Sequence, residues 1–550
     1  MKNISLDFTH HKTSDFSFIS WNWPLIRKSC FWTIVSIMIA CFCILIGMLA
    51  TVPRRCFPSH KWYHGTVFYE IFPASYQDSN GDGIGDLKGI ASRSGYLKKL
   101  GIQAVRLNSI FPADHYPEDF NKINNLTDIE KSLGNFEDFE YLINSFGNKN
   151  ISVILDFPLF PFVNHLGEMK SKRKNIVDKI TTVTYNQRSN SSSKLLKNEF
   201  TDKKEYLKPY IDGGIAGLMK SNSDYLKLKS QNVIKEAIEF WFKKGVDGIY
   251  LKDLIRYVDD VNFIQELKIW KSIKEDFRNQ GFEKMLMCDY QVLDNAKDEE
   301  IYMTILSTMD LLDVYLDVSN GTSFIQQEVD KYQKSKIYNQ RDYPWIHWNI
   351  GNINSKRLAS RVENNFGAIL FQFLLPGTVS IFYGDEIGLT EIHDPHLDHT
   401  DIEYVHHLAP MKWQPNGTGF TRFDSLPWLP YAKSVRTNNI HEEILSNMTS
   451  LRADAPSIYM NSIWKEEESL SNSAFRFVDK NIIVLERSYP RRNAFVVVYN
   501  AGTDEAHNDL SNIYYQGELL EDSKGRSGIS INFSKMNLGS GEAIVVKLDK

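Results

Sequence analysis

The stretch Asp78-Ser79-Asn80-Gly81-Asp82-Gly83-Ile84-Gly85-Asp86 carries oxygen donors at alternate positions and glycines where a loop must bend. Hard cations such as Ca²⁺ take six to eight oxygens at about 2.4 Å, and this spacing can wrap one. Asp78, Asn80, Asp82 and Asp86 would bind by side chain, and Ile84 by its carbonyl. The loop is not an EF-hand, because the bidentate Glu of the last position is missing. A second group lies in Gly245-Val246-Asp247-Gly248-Ile249-Tyr250-Leu251-Lys252-Asp253, which reads as a short buried strand running into a loop. Residues two apart on a strand share a face, so Tyr250 and Lys252 point the same way.

Cysteine is the third chemically capable type. Cys30, Cys41 and Cys43 lie in or beside an apolar run, and Cys288 lies in Met285-Leu286-Met287-Cys288, a core strand by composition. Cys56 stands apart, between Arg55 and Phe57, just beyond that apolar run. On an oxidising side it has no obvious partner in its own chain. That leaves an intermolecular bridge, a free reactive thiol, or a reduced bystander.

The elements that position these residues follow from patterning. Cys30 to Val52 is uncharged and would form a helix of about 34 Å, enough to cross a bilayer core of roughly 30 Å. It is too long for a signal peptide, and no small-x-small cleavage site precedes Pro53-Arg54-Arg55. Arg27 and Lys28 flank one end, Arg54 and Arg55 the other, so flanking charge barely sets orientation. Past the span stand Asn-x-Ser/Thr sequons at Asn125, Asn150, Asn190, Asn320, Asn416, Asn447 and Asn532, which together favour an external C-terminal part. Residues 1–29 form a tail, 30–52 the transmembrane helix. The remainder is ordinary globular in composition, 42% hydrophobic and 24% charged with net charge −5, and has no basic excess to suggest nucleic acid.

From about Lys61, strand-like and helix-like pieces alternate. Val67–Ile71, Ala104–Leu107, Ile151–Asp156 and Val246–Leu251 read as strands; Phe136–Phe146 and Asn232–Lys244 have helical spacing. This βαβα rhythm implies a parallel sheet, and over some 380 residues one closed (β/α)8 barrel of TIM type. An insertion rich in Lys, Ser and Asn interrupts it around 160–230. After a helix near Glu442–Ala453 the pattern changes to short alternating strands, among them Ile482–Glu486, Ala494–Tyr499 and Ala543–Lys547. The expected organisation is thus an α/β barrel over 53–456 and an antiparallel β-sandwich over 457–550.

Trp62-Tyr63 through Gly89, with Tyr69-Glu70-Ile71-Phe72-Pro73 and the Asp78 loop, resembles the first strand and calcium loop of α-glucosidases of the α-amylase family. Tyr96–Ile102, Leu375–Gly388, Ala409–Trp413 and Pro427–Pro430 resemble further parts of it. The resemblance implies two catalytic carboxyl groups about 5–5.5 Å apart. At the Arg-x-Asp of the family, however, stand Tyr250 and Lys252, so the nucleophile position holds an ammonium. Asp289 replaces the acid/base Glu, and Asn352-Ile353-Asn354 replaces Asn-His-Asp. Asp156 persists; the Asn-His after it is lost to Phe160-Pro161 or displaced to Asn164-His165. The positions Tyr250, Lys252, Asp289 and Asn354 are therefore degenerate, and no catalytic residue is expected.

Pro53-Arg54-Arg55-Cys56 followed by Lys61-Trp62-Tyr63 resembles the heavy chains of heteromeric amino-acid transporters, glycoproteins with one span and a glucosidase-like ectodomain. That resemblance implies a type II plasma-membrane protein, Ca²⁺ in the Asp78 loop, and a disulfide from Cys56 to a polytopic light chain, which carries the amino acid. The rival expectations are a membrane-anchored α-glucosidase with rearranged acids and a carbohydrate-binding receptor.

Overall fold

The computed structural model describes residues 21–51, 60–159, 222–260, 262–392, 403–422, 425–432, 440–465 and 468–549. Cys56, Asn190, Phe160-Pro161, Asn164-His165 and most of the 160–230 insertion lie outside them. The chain divides into two compact units, Met1–Ser59 and His60–Lys550.

In the first unit a helix runs over Trp23–Thr51. It begins earlier than the apolar run. Asn22 caps it through Oδ1, which accepts the Leu25 N–H at 3.3 Å, and Pro24 suits a first turn whose N–H groups have no helical partner. Arg27 and Lys28 therefore lie on the helix rather than in a tail. Its segment Trp23–Met48 is long and apolar enough to cross a membrane, and its large side chains, such as Ile34, Ile37 and Phe42, are exposed.

In the second unit, β1 (Val67–Ile71), β2 (Ala104–Leu107), β3 (Ser152–Pro158), β4 (Gly248–Lys252), β5 (Met285–Asp289), β6 (Leu311–Tyr315), β7 (Trp345–Asn349) and β8 (Thr378–Phe382) close into a barrel. All neighbours are parallel, β1 closing on β8. Such strands are buried on both faces and so read as nearly continuous apolar runs. Helices supply the outer layer. Phe136–Gly147 starts at a capping box between Asn135 and Asp138 and buries Phe139, Leu142 and Phe146 at helical spacing. The helix before β4 spans Asn222–Lys243, ten residues longer at its start than the sequence pattern suggests.

Strand parity sorts the side chains. Tyr69, Val105, Leu155, Ile249, Leu286, Leu312 and Ile346 join the core under the helices. Phe68, Ala104, Ile154, Tyr250, Met287 and Leu311 form a separate apolar cluster of opposite parity, inside the barrel. Two residues further along the same parity, toward the C-terminal ends of the strands, the interior turns polar: Glu70, Arg106, Asp156, Lys252, Asp289 and Asp313. That switch creates the site.

The C-terminal strands are β9 (Ser462–Lys465), β10 (Glu468–Ser471), β11 (Ser473–Val478), β12 (Ile482–Arg487), β13 (Phe495–Asn500), β14 (Ala506–Asn508), β15 (Gln516–Asp522), β16 (Ile529–Asn532), β17 (Met536–Leu538) and β18 (Ala543–Leu548). Six of them form one antiparallel sheet in the order β11-β12-β13-β18-β15-β16, and β9-β10 and β14-β17 are two-stranded. Ile483, Leu485, Val497, Tyr499 and Val545 belong to the main core, whereas Val484, Val496, Val498 and Val546 pack with Leu538 of β17 and Phe533. One face thus lies on the barrel and the other beneath the small sheet. Contact with the barrel is close: a Cβ on Gly367, in the helix Asn365–Phe373, would collide with the carbonyl oxygen of Gly541.

Candidate functional site

The inward residues at the C-terminal ends of the strands, where barrels of this type hold their active sites, form one buried ionic network centred on Arg106 of β2. Its Nε donates to Asp156 Oδ1 at 2.6 Å and Nη2 to Asp156 Oδ2 at 3.3 Å. Its Nη1 stands 3.5 Å from both Glu70 Oε2 and Asp313 Oδ2. Asn108, just past β2, donates to Glu70 at 2.9 Å and Asp156 at 2.9 Å. On the other side, Asp313 Oδ1 lies 2.6 Å from His347 Nδ1 and accepts from Asn349 Nδ2 at 2.8 Å. Asp313 and His347 are register partners across β6 and β7, which places them side by side.

Burial acts against charge throughout this layer. It raises Glu70 above the usual carboxylate range, although Arg106 opposes the shift. Burial works the same way on Asp313, but His347, Arg106 and Asn349 together outweigh it and hold its carboxyl below the ordinary value. Glu70, Asp156 and Asp313 are thus all engaged by donors or cations of the protein itself.

Lys252 ends β4. It is 8% exposed, with its Nζ 5.3 Å from the centroid of the Phe120 ring. It makes no ion pair or hydrogen bond among the described residues. Burial lowers its pKa, against the pull of Asp156 and Asp253. Tyr250, two residues back, lies beneath Arg106, whose Cζ is 3.9 Å from the ring centroid. Asp289 ends β5 and accepts the Gln291 N–H at 2.7 Å. Burial pushes its carboxyl up to about 6, with Asp313 and Asp253 adding to the shift.

Tyr250, Lys252 and Asp289 therefore stand in one inward layer, as their spacing implied. Asn354 does not join it. It is exposed in the turn after β7, its N–H donating to Asn352 Oδ1 at 2.9 Å, while Asn352 Nδ2 reaches Asn349 Oδ1 at 2.9 Å. The sequence reading passed over Glu70, Arg106, Asn108, Asp313, His347 and Asn349. The available signal was parity: each strand bears its polar group at an even spacing from an inward apolar one, as in Phe68-Tyr69-Glu70 and Leu311-Leu312-Asp313.

The Asp78 loop lies apart from this layer and is closed by its own hydrogen bonds. Asp78 accepts the N–H groups of Gly81 at 2.6 Å and Gly83 at 2.9 Å; Asp82 accepts that of Ile84 at 2.8 Å. Asp86 receives Ser79 Oγ at 2.7 Å and caps the helix Leu87–Ser92 through the Gly89 N–H at 2.8 Å. Among the described residues no three His, Cys, Asp or Glu side chains are placed to hold a metal. Ligation would therefore need Asn80 and the Ile84 carbonyl as well. The donor set still suits a hard cation in kind, because the Asp78 and Asp82 oxygens that accept one N–H each keep a second lone pair.

Six sequon asparagines fall among the described residues, and Asn125, Asn150, Asn320, Asn416, Asn447 and Asn532 are all exposed. The Asn447 amide donates to Glu521 at 2.6 Å, and that of Asn320 to Asp317 at 3.4 Å.

Residues 70–453 match the family model of the α-amylase catalytic domain. The chain belongs to the α-amylase family. Among its family relatives, the amino acid transporter heavy chain SLC3A1 of Homo sapiens is 24% identical, the match covering 94% of this chain and 82% of that one. Maltase A1 of Drosophila melanogaster is 23% identical over 87% of this chain and 93% of its own. The crystal structure of the trehalulose synthase MutB from Pseudomonas mesoacidophila MX-45 superposes with a TM-score of 0.65 at 16% identity, covering 90% of this chain and all of that one. This α-amylase-family chain thus resembles both a transporter heavy chain and a maltase in sequence, and a trehalulose synthase in fold.

Proposed function

We propose that this protein is a non-catalytic, membrane-anchored heavy chain that associates with a polytopic amino-acid transporter, stabilises it and accompanies it to the plasma membrane. The observation that carries the reading is the buried Lys252 on β4, which has no ion pair or hydrogen bond among the described residues. An ammonium has no lone pair with which to attack an anomeric carbon, and its charge opposes an oxocarbenium-like transition state. The nearby carboxylates Asp156, Glu70 and Asp313 are bound to Arg106, Asn108 and His347. The human heavy-chain relative, matched across 94% of this chain, gives the direction of the alternative role. The helix Trp23–Thr51 is the anchor; the sequon-bearing part is external, and Cys56 bridges to the transporter. Asp78, Asn80, Asp82, Ile84 and Asp86 hold Ca²⁺, which cross-links the loop.

Co-expression with candidate multi-span transporters tests this reading. Membranes solubilised with thiols blocked give a high-mass band on a non-reducing gel, and Cys56→Ser abolishes that band while leaving some transport. A wild-type chain that migrates alone, and that captures no transporter after crosslinking, defeats the proposal. One observation favours a second reading, a glucosidase with altered acids: Asp289, with its pKa near 6, is suited to give a proton to a leaving oxygen. It lacks a nucleophile at Lys252, and hydrolysis assays decide between the two.

A further inference from the structure

Two other lysines with little exposure are held by acceptors. Lys284 donates to the Val246 carbonyl at 2.6 Å and faces Asp247 at 3.7 Å. Lys274 grips Asp310 at 2.6 Å. Lys252 is buried to the same degree as Lys284, yet among the described residues its Nζ meets only the face of Phe120. No carboxylate of its layer pairs with it, because Arg106, Asn108 and His347 hold Asp156, Glu70 and Asp313. Nor is the nitrogen sealed. Glu70 Oε2, Asn108 Oδ1 and His347 Nε2 are closed to water and without a hydrogen bond, and Lys252 Nζ is not in that state. An amine without an acceptor among the described residues, on a side chain more than nine-tenths buried, thus keeps contact with solvent. It does so at the strand ends where barrels of this type receive ligands.

We propose that Lys252 captures a small neutral aldehyde as an imine. Desolvation makes a lysine nucleophilic because it favours the neutral amine, and burial lowers the Lys252 pKa. In its protonated form this side chain opposes glycoside cleavage; in its neutral form it carries a lone pair. An acetal carbon accepts that pair only if a leaving group departs, whereas an aldehyde carbon needs none. The nitrogen pair forms the N–C bond as the carbonyl π pair moves to oxygen, which takes a proton. Both amine hydrogens end on the oxygen, which leaves as water as C=N forms. Amine and aldehyde become imine and water, with no change of oxidation state. Leu251 and Cys288 are register partners, so Lys252 and Asp289 end neighbouring strands at one level. Asp289, with its carboxyl pushed up to about 6, can relay those protons. Charge selects the class of guest. Asp156 and Asp253 favour the cationic form of Lys252, so they support a protonated imine and oppose an anionic adduct. Carbon dioxide, which would leave a carbamate, and aldehydes bearing a carboxylate or phosphate are therefore disfavoured. The Phe120 ring offers an apolar floor. The inference does not rest on the transporter reading: a heavy chain stays one whether or not Lys252 is reactive.

Treating the purified full chain with propionaldehyde and sodium cyanoborohydride at pH 7 tests it, since reduction fixes the imine as a secondary amine that peptide mass mapping locates. Lys98 and Lys535, both exposed, are internal controls. Lys252 is expected to be labelled about tenfold faster than either, and saturably, through its larger neutral fraction. Glyoxylate is expected to label it no faster than the controls. Lys252→Met should lose the fast adduct and leave Lys98 and Lys535 labelling unchanged, its melting curve showing that it is folded; the wild-type comparison needs no variant to fold. The proposal is overturned if Lys252 in the folded chain reacts no faster than the controls, or reacts only after denaturation. Labelling by glyoxylate as fast as by propionaldehyde equally overturns it.

Discussion

Arg106 lies over Tyr250, its Cζ 3.9 Å from the ring centroid, although β3 separates their strands. The contact crosses the inside of the barrel, and the same guanidinium binds Asp156 with two hydrogen bonds. The cation that Glu70, Asp156 and Asp313 share therefore comes from β2, while Tyr250 of β4 contributes an aromatic face beneath it. A guanidinium stacked on a ring and bidentate to a carboxylate is a rigid arrangement that Lys could not reproduce.

Arg106→Met should be severely destabilising. It leaves Glu70, Asp156 and Asp313 buried without their shared cation. Breaking a buried ionic cluster by removing one partner costs about 3–5 kcal/mol. Denaturant unfolding measures the loss, and a change below about 1 kcal/mol would show that Asn108 and His347 suffice.

Lys252→Met should act in the opposite direction. Burial lowers the Lys252 pKa, so the folded state holds its proton less tightly than the unfolded one. By linkage, such a group lowers stability at neutral pH, and that deficit fades as pH rises between the folded and the unfolded pKa. Replacing it with an apolar side chain of similar length is expected to raise the neutral-pH melting temperature by a few degrees. A lower melting temperature would mean that its attraction to Asp156 outweighs its desolvation.

Asp289 supplies a test on the acid side. Its folded pKa is about 6, raised from 3.8 by burial. Between those values the folded state binds more proton, so stability falls as pH rises through that window. Asp289→Asn keeps an oxygen for the Gln291 N–H and should flatten this slope. The gain at pH 7 is about 1 kcal/mol once the group's partial exposure is taken into account. Parallel melting curves of variant and wild type at pH 4 and pH 7 would refute it.

The Asp78 loop should respond to Ca²⁺. An ion that binds only the folded state adds about 2.7 kcal/mol at a hundred times its dissociation constant. Chelator should lower the melting temperature and Ca²⁺ restore it, with Asp82→Ala insensitive to both. Identical curves with and without the ion would count against this site.

Hydrolysis of aryl α-glucosides by the purified protein should not exceed background, and Lys252→Asp alone should not restore it. Loss of a central catalytic group costs on the order of 10⁴ in rate, and groups that act together are not rescued singly. Turnover that survives rigorous repurification would count against the non-catalytic reading.

What the sequence determined by itself was whatever is written locally. Alternating strand and helix patterns specified the barrel, and parity placed Tyr250 with Lys252 on one face of β4. An uncharged run specified the long helix, though not its start, because Asn22 and Pro24 extend it past the charges at Arg27 and Lys28. Tertiary structure decided which of these residues meet. Asn354 sits close to β7 in sequence and yet turns outward, whereas Asp313 and His347, 34 residues apart, are joined by strand register. Periodicity reports which face of an element is buried; barrel closure alone sets which buried faces converge, and so whether a charge finds a partner, as Arg106 does, or finds none among the described residues, as Lys252 does.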